Sequence, residues 1–179
     1  MATMQTMEPS DAVVLVGHGG VPKDFPRDDL ARLKALESMR RARNVGPTDE
    51  ELALETRIRT WPRTAATDPY QAGLEALAAA LRPLVTPAAL VVAYNEFCAP
   101  TLAGAVERLV AGGTRRIVVV PSMLTPGGTH SEVEIPETLA QLGKRFPSIT
   151  LRYAWPFDLA AVAALLAAQV ALHRDGREQ

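Results

Sequence analysis

The sequence predicts an α/β domain: a doubly wound, four-stranded, mainly parallel sheet flanked by helices, with a helical insert after the first strand. Three observations carry that expectation. Four short runs rich in Val, Ile or Leu, at residues 12–16, 88–93, 116–120 and 149–154, show little polar alternation, as strands buried on both faces do. Between them, apolar residues recur at helical spacing, and Gly, Pro and Asp fall at the junctions, where a helix must start or the backbone must turn. Strands alternating with helices imply right-handed crossovers, and ligands of such sheets gather beyond the carboxyl ends of the strands.

Taken in order, residues 1–10 contain neither a basic residue nor an apolar run, so a flexible tail is expected there and a signal peptide is not. Residues 11–175 are expected to form one domain. After the first strand comes a long charged insert, residues 23–67, in which 28–43 and 49–60 read as two helices separated by Asn44-Val45-Gly46-Pro47. Asp68-Pro69 supplies an N-cap and a first-turn proline for a helix over 70–81, whose Leu74, Leu77 and Leu81 form one stripe. The helix over 100–110 follows the second strand, with Leu102, Val106, Leu109 and Val110 at helical spacing and Gly112-Gly113 as its stop. A further helix is expected within 132–146, and a last one from an N-cap at Asp158 to about His173. The apolar stretch 159–172 of that last helix is interrupted by Gln169 and is shorter than the ~20 residues that span a bilayer. It reads as a packed, Ala-rich core helix.

Composition narrows the function classes. Of 179 residues, 47% are hydrophobic and 22% charged, and 19 basic against 20 acidic residues leave a net charge of −1. No global attraction to nucleic acid or to a membrane surface follows from that balance. The single cysteine, Cys98, excludes an intramolecular disulfide, and a cytoplasmic setting is expected. Amid Phe97, Ala99 and Pro100 it reads as a small buried hydrophobe rather than a nucleophile. Trp61 and Trp155 read as packing residues. Gly17-His18-Gly19-Gly20 lacks both the Lys-Ser/Thr of a P-loop and the G-x-G-x-x-G spacing, which argues against ATP or another nucleotide.

The chemistry-bearing residues stand at strand ends. The first strand runs into Gly17-His18-Gly19-Gly20, the second into Tyr94-Asn95-Glu96-Phe97-Cys98-Ala99-Pro100, and the third into a loop from Pro121 to His130. Adjacent strand ends thus offer His18, Glu96 and His130. Two neutral imidazoles and one carboxylate are suitable ligands for a divalent first-row ion, with open positions left for a substrate. Singly, each histidine also fits a cap or a backbone hydrogen bond, and Glu96 fits a carboxylate near the start of the next helix. His173, in the last helical turn, is set aside as a favourable dipole partner. The basic run Arg40-Arg41-Ala42-Arg43 fits either an anion site or a solvated helix face.

These residues carry a resemblance. Val13-Val14-Leu15-Val16-Gly17-His18-Gly19, then Asn95-Glu96-Phe97-Cys98-Ala99-Pro100-Thr101-Leu102, then Pro121-Ser122-Met123-Leu124 with Gly127-Gly128-Thr129-His130 and Glu134-Ile135-Pro136, in that order, resemble the sirohydrochlorin chelatase family of class II tetrapyrrole chelatases, the CbiX/SirB type. The resemblance implies ATP-independent insertion of Co2+, Fe2+ or Ni2+ into sirohydrochlorin or a related tetrapyrrole, in cobalamin or siroheme biosynthesis. His18, Glu96 and His130 match the family's metal-binding and catalytic positions, and Glu134 matches an acidic residue that would orient His130 or its loop. Two features depart from the pattern: Gly20 stands where Ser is common, and residues 23–67 are inserted. The chain resembles one half of the two-half chelatases, which implies a homodimer with the tetrapyrrole between subunits.

Sirohydrochlorin is rich in carboxylates, so Lys23, Arg27, Arg40, Arg41 and Arg43 of the insert are expected to bind it. Because the histidines act as neutral imidazoles, activity is expected to decline as pH falls through about 6.5. A metal-dependent hydrolase, holding a water on the same ligands, and a non-catalytic metal or tetrapyrrole carrier are the alternative readings.

Overall fold

The computed structural model describes residue 8 and residues 10–174. The expected 1–10 tail lies mostly outside the described residues, as does residue 175. The strands are β1 (Asp11–Gly17), β2 (Ala89–Tyr94), β3 (Arg116–Pro121) and β4 (Thr150–Tyr153), and the α-helices are α1 (Arg27–Arg43), α2 (Asp49–Arg59), α3 (Pro69–Leu81), α4 (Leu102–Ala111), α5 (Ile135–Arg145) and α6 (Leu159–Arg174). Sheet order is β2-β1-β3-β4, and every pairing is parallel, against the expected mainly parallel sheet.

β1 lies between β2 and β3 and is buried along its whole length, which is why Ala12, Val13, Val14, Leu15 and Val16 show no polar alternation. Its side chains divide between two cores. Ala12, Val14 and Val16 pack with Ala93, Ile117 and Val119 beneath α4 and α5, while Val13 and Leu15 pack with Leu90, Val92, Leu74 and Ala78 on the α3 side. Each buried Val or Leu contributes about 1.5–3 kcal/mol relative to exposure. β2 and β4 are the two edge strands, and the residues of β4 alternate between exposed and half-buried.

Helix starts follow their caps. Asp68 accepts from the Gln71 N–H at 2.9 Å with Pro69 in the first turn of α3. Thr48 caps α2 through the Glu51 N–H at 3.2 Å. α4 begins later than the sequence implies: Thr101 accepts from the Gly104 N–H at 3.1 Å, so Leu102 is the first helical residue. α1 ends on Asn44 in the left-handed region, at φ 51°.

The inserted helices are joined by their charges. Arg40 pairs with the buried Glu51 at 2.6 Å, Arg32 with Glu50 at 2.5 Å, and Arg57 with Asp29. Phe25, Leu33 and Ile58 form a small core of their own, against which Trp61 and Phe97 pack. The last helix corrects the sequence reading. α6 is apolar as expected, yet it has no buried residue and is not a core helix of this chain. Among the described residues, no helix is long and apolar enough to cross a membrane.

Candidate metal centre

The sheet order places β2, β1 and β3 side by side, so the loops after these strands open onto one edge. The parallel ladder continues past the strands: the Asn95 N–H donates to the Gly17 carbonyl at 2.9 Å, the Glu96 N–H to the His18 carbonyl at 2.8 Å, and the Ser122 N–H to the Val16 carbonyl at 2.8 Å. His18 and Glu96 are therefore held in register by backbone. Gly19 has φ 94°, and a Cβ there would lie 1.9 Å from the Glu96 carbonyl oxygen. Only glycine allows the two loops to approach this closely. At Gly20, where the resembled motif has Ser, a Cβ would sit 3.3 Å from Asp68 Oδ1 and 3.4 Å from Tyr70 Cβ, so the capping residue of α3 takes up that space.

His18 is oriented through both its backbone and its ring. Its N–H donates to the Tyr70 hydroxyl at 2.7 Å, and ring Nδ1 lies 2.8 Å from the Gly19 carbonyl. A carbonyl only accepts, so Nδ1 carries the proton and Nε2 presents a lone pair. His130 is held differently. A π-helical turn, His130–Glu134, leads directly into α5, so His130 opens the helical segment rather than closing the loop before it. Its His130 Nδ1 and Glu134 Oε2 lie 2.8 Å apart. Asn95 Nδ2 donates to the same Oε2 at 2.6 Å and lies 2.7 Å from His130 Nδ1. Burial by itself would raise the Glu134 carboxyl, but hydrogen bonds from His130 and Asn95 and the charges of His130 and Arg41 outweigh it, holding the group below its ordinary value. An ionised Glu134 accepts from both neighbours, leaving Nε2 of His130 free as well.

The outcome is a cluster: one ligand atom each from His18, Glu96 and His130 lie within 4.8 Å of one another, and all three residues are half-buried. The two imidazoles meet edge-on, with centroids 4.7 Å apart. Donors bound to one first-row ion at ~2.0–2.2 Å sit roughly 3–4 Å apart, a spacing that side-chain rotation reaches from here. The donor set fits a divalent transition ion with positions left open.

The loop carrying Glu96 is braced by residues for which the sequence reading had no role. The Cys98 N–H donates to the Glu96 carbonyl at 2.6 Å around Phe97 at φ 54°, a left-handed conformation that costs a non-glycine residue about 1–2 kcal/mol. Arg63, whose side chain is only 4% exposed, offsets that cost. It donates to the Phe97 carbonyl, to the Gly20 carbonyl at 2.9 Å and to the Ile58 carbonyl at 2.9 Å, and it pairs with Asp68. One buried guanidinium thus ties the His18 loop, the Glu96 loop and the insert together. Asn95 had a visible signal, its place beside Glu96 at a strand end. Arg63 had none, since a lone arginine in a charged insert reads as surface.

The basic residues of the insert separate by position. Lys23, Arg27 and Arg43 are exposed and do not line the cavity of about 210 Å³ between the insert and the cluster. Arg40 and Arg41 do line it, with Arg59, Asn95, Glu96 and Glu134. Arg40 is engaged by Glu51, whereas Arg41 is exposed and its charge reaches Glu134. His173 lies elsewhere, 3.0 Å from Gln169 Nε2. Cys98 is buried. Burial pushes its thiol above the ordinary value, against the charges of Arg63 and Arg59, as in an unreactive packing residue.

Residues 65–171, more than half of the chain, match the CbiX family model. The chain belongs to the CbiX family. Against the sirohydrochlorin cobaltochelatase of Priestia megaterium it is 33% identical over 66 residues, 37% of this chain and 21% of that protein. Against the sirohydrochlorin ferrochelatase of the same organism it is 30% identical over 68 residues, 38% of this chain and 25% of that one. These two matches thus span a quarter or less of the curated relatives' length. Among solved structures, SirB from Bacillus subtilis with Fe3+ superposes with a TM-score of 0.52 at 20% identity, over 91% of this chain and 47% of that one. A CbiX protein from Marinobacter aquaeolei VT8 gives 0.51 at 18% identity, over 92% and 97%. Both share the α/β fold.

Proposed function

We propose that this CbiX-family chain inserts a divalent metal ion into sirohydrochlorin or a closely related tetrapyrrole without ATP, as a cytoplasmic homodimer. The observation that carries this is the cluster itself: His18, Glu96 and His130 converge within 4.8 Å, and Nδ1 of each imidazole is engaged by its own hydrogen-bond partner. The names of the two Priestia megaterium relatives support cobalt and iron as the metals. The same donors also accept nickel, and supply then decides among the three.

In this reading the ion is a substrate. Insertion exchanges its water ligands for four macrocycle nitrogens and releases two pyrrolic protons, so the protein must hold a partly dehydrated ion and accept protons beside it. Nε2 of His18 and of His130 hold the ion, with Glu96 as the third ligand or as proton acceptor. Glu134 and Asn95 fix the His130 ring, so little reorientation is needed when the ion arrives. Arg41, at the mouth of the cavity, is the basic residue best placed to meet a substrate carboxylate. Lys23, Arg27 and Arg43 would contribute only long-range attraction, and Arg40 only by giving up Glu51.

Two copies are invoked because one is too small. A cavity of about 210 Å³ lies below the ~300–1,000 Å³ of ordinary ligand pockets, and the chain covers 47% of the SirB chain. The deciding experiment offers the purified protein Co2+ and sirohydrochlorin and follows the absorption of the metalated product without ATP. Many product equivalents per protein are expected. Stoichiometric binding without product would point to a carrier, and turnover of esters or phosphates instead would point to a hydrolase.

A further inference from the structure

The turn that carries His18 brings one side chain to the cluster, because its neighbours Gly17, Gly19 and Gly20 have none. A side chain from elsewhere covers it. Tyr70, in the first turn of α3, lies along the turn with its root at Gly20 and its tip at Gly17. A Cβ on Gly20 would sit 3.4 Å from Tyr70 Cβ, and one on Gly17 would sit 3.1 Å from the Tyr70 hydroxyl and 2.3 Å from Leu74 Cδ2. The space left by these two glycines is thus what Tyr70 and α3 occupy. The start of α3 is itself anchored, since its cap Asp68 is buried and paired with the buried Arg63. On that base the phenol, 39% exposed, is held at the rim of the cluster.

Its hydroxyl is half used. The His18 N–H donates to the oxygen at 2.7 Å, and among the described residues this is the one hydrogen bond the hydroxyl makes. A phenol also has a proton to give, and none of the described residues accepts it. The turn does not depend on the phenol alone: the Glu96 N–H on the His18 carbonyl, the Asn95 N–H on the Gly17 carbonyl and Arg63 on the Gly20 carbonyl fix it too. Rigid backbone therefore holds the phenol oxygen in place and leaves its O–H to point outward. We propose that Tyr70 is a substrate-binding residue whose O–H donates to a carboxylate on the rim of the tetrapyrrole. The inference rests on the reaction proposed above and adds to it a neutral donor outside the insert, since Tyr70 does not line the cavity beneath the insert. Its position suits the role. The hydroxyl stands at the backbone end of His18 and the metal-binding nitrogen at the far end of the same side chain, so the two are no more than about a side chain apart. A macrocycle centred on the ion carries its acid groups on its rim, at a comparable radius. An O–H donor on an ionised carboxylate makes a shorter bond, roughly twice as strong as one between neutral groups, so the substrate displaces the water that otherwise takes this proton.

The test is Tyr70→Phe, which removes the hydroxyl and keeps the ring against the glycines, so that the urea midpoint stays at that of the wild type. Three quantities are compared between the two proteins: the dissociation constant of sirohydrochlorin from the metal-free protein, read by absorption; the affinity for Co2+ alone; and kcat and KM for cobalt insertion. A donor to the substrate predicts sirohydrochlorin binding and KM weakened by about 10-fold or more, with Co2+ affinity and kcat unchanged. Loss of Co2+ affinity and of kcat at constant KM would overturn the proposal and leave Tyr70 as a support of His18. Unchanged values throughout would overturn it as well, with water as the acceptor of the hydroxyl proton. A wild type that binds no sirohydrochlorin would overturn the function proposed above and the role of Tyr70 with it, whereas equal binding by wild type and variant overturns the role of Tyr70 alone.

Discussion

At the carboxyl edge of the sheet, His18, Glu96 and His130 are each held by hydrogen bonds within their own loops or to the neighbouring one, whereas beyond β4 the side chains of α6 are left uncovered. The edge is polar and its needs are met locally, by backbone carbonyls, Glu134, Asn95 and the buried Arg63. α6 is apolar, and what it needs is contact area rather than directional bonds. A polar site can be completed by a few directional bonds, but an apolar helix cannot be satisfied without another surface.

The contrast can be broken in four places. The largest effect is expected at the cluster, where His18→Ala or His130→Ala should lower metal insertion by about 10²–10⁴-fold, with the melting temperature nearly unchanged because strand-end loops add little to the core. A normal rate in either variant would remove that histidine from the reaction. Next comes Arg63→Met, which leaves Asp68 buried without its partner and should cost about 3–5 kcal/mol of stability, read by urea unfolding. A loss well under 1 kcal/mol would show that the loops around the cluster hold themselves. Asn95→Ala should weaken metal binding by about 10–100-fold, read by titration with Co2+, without altering the unfolding midpoint as Arg63→Met does.

The smallest effect is expected at the opposite, amino edge of the sheet, where Arg116 donates to Asp11 at 2.6 Å. The Glu8 N–H, 2.8 Å from the carboxylate, is the chief cause holding the Asp11 carboxyl below its ordinary value. Burial opposes that shift, and Arg116 adds to it. A lowered carboxyl pKa stabilises the fold above the unfolded value, ~3.9, and that contribution fades as pH falls through the lower folded value. Asp11→Asn should therefore melt slightly below the wild type at neutral pH and converge with it in acid, with metal insertion unchanged. Melting curves across pH 2–7 would show a constant gap instead if the carboxylate's charge were irrelevant.

Much of this was readable beforehand for identifiable reasons. The four strands could be read because burial on both faces suppresses polar alternation, and α3 because Asp68-Pro69 is a start signal that works locally. Both histidines and Glu96 could be read as a group because a parallel sheet sends successive strand ends to one edge. The start of α4 was misplaced, since Thr101, and not a residue before Pro100, is the cap that accepts from the Gly104 N–H. Arg63 was invisible because its partners, Gly20, Ile58, Asp68 and Phe97, are spread along the chain.

What the sequence determined by itself is the periodicity of each element, the local caps and the chemical identity of the candidate ligands, because these depend on neighbours within a few residues. What only tertiary structure decided is which atoms meet: the 4.8 Å cluster, the bracing of Phe97 by Arg63, the choice of Nδ1 or Nε2 on each ring, and the exposure of α6. Those depend on contacts between distant segments, and the case of α6 shows the limit most plainly. Its residues state that it must be covered, but only the tertiary structure shows that none of its described residues is buried.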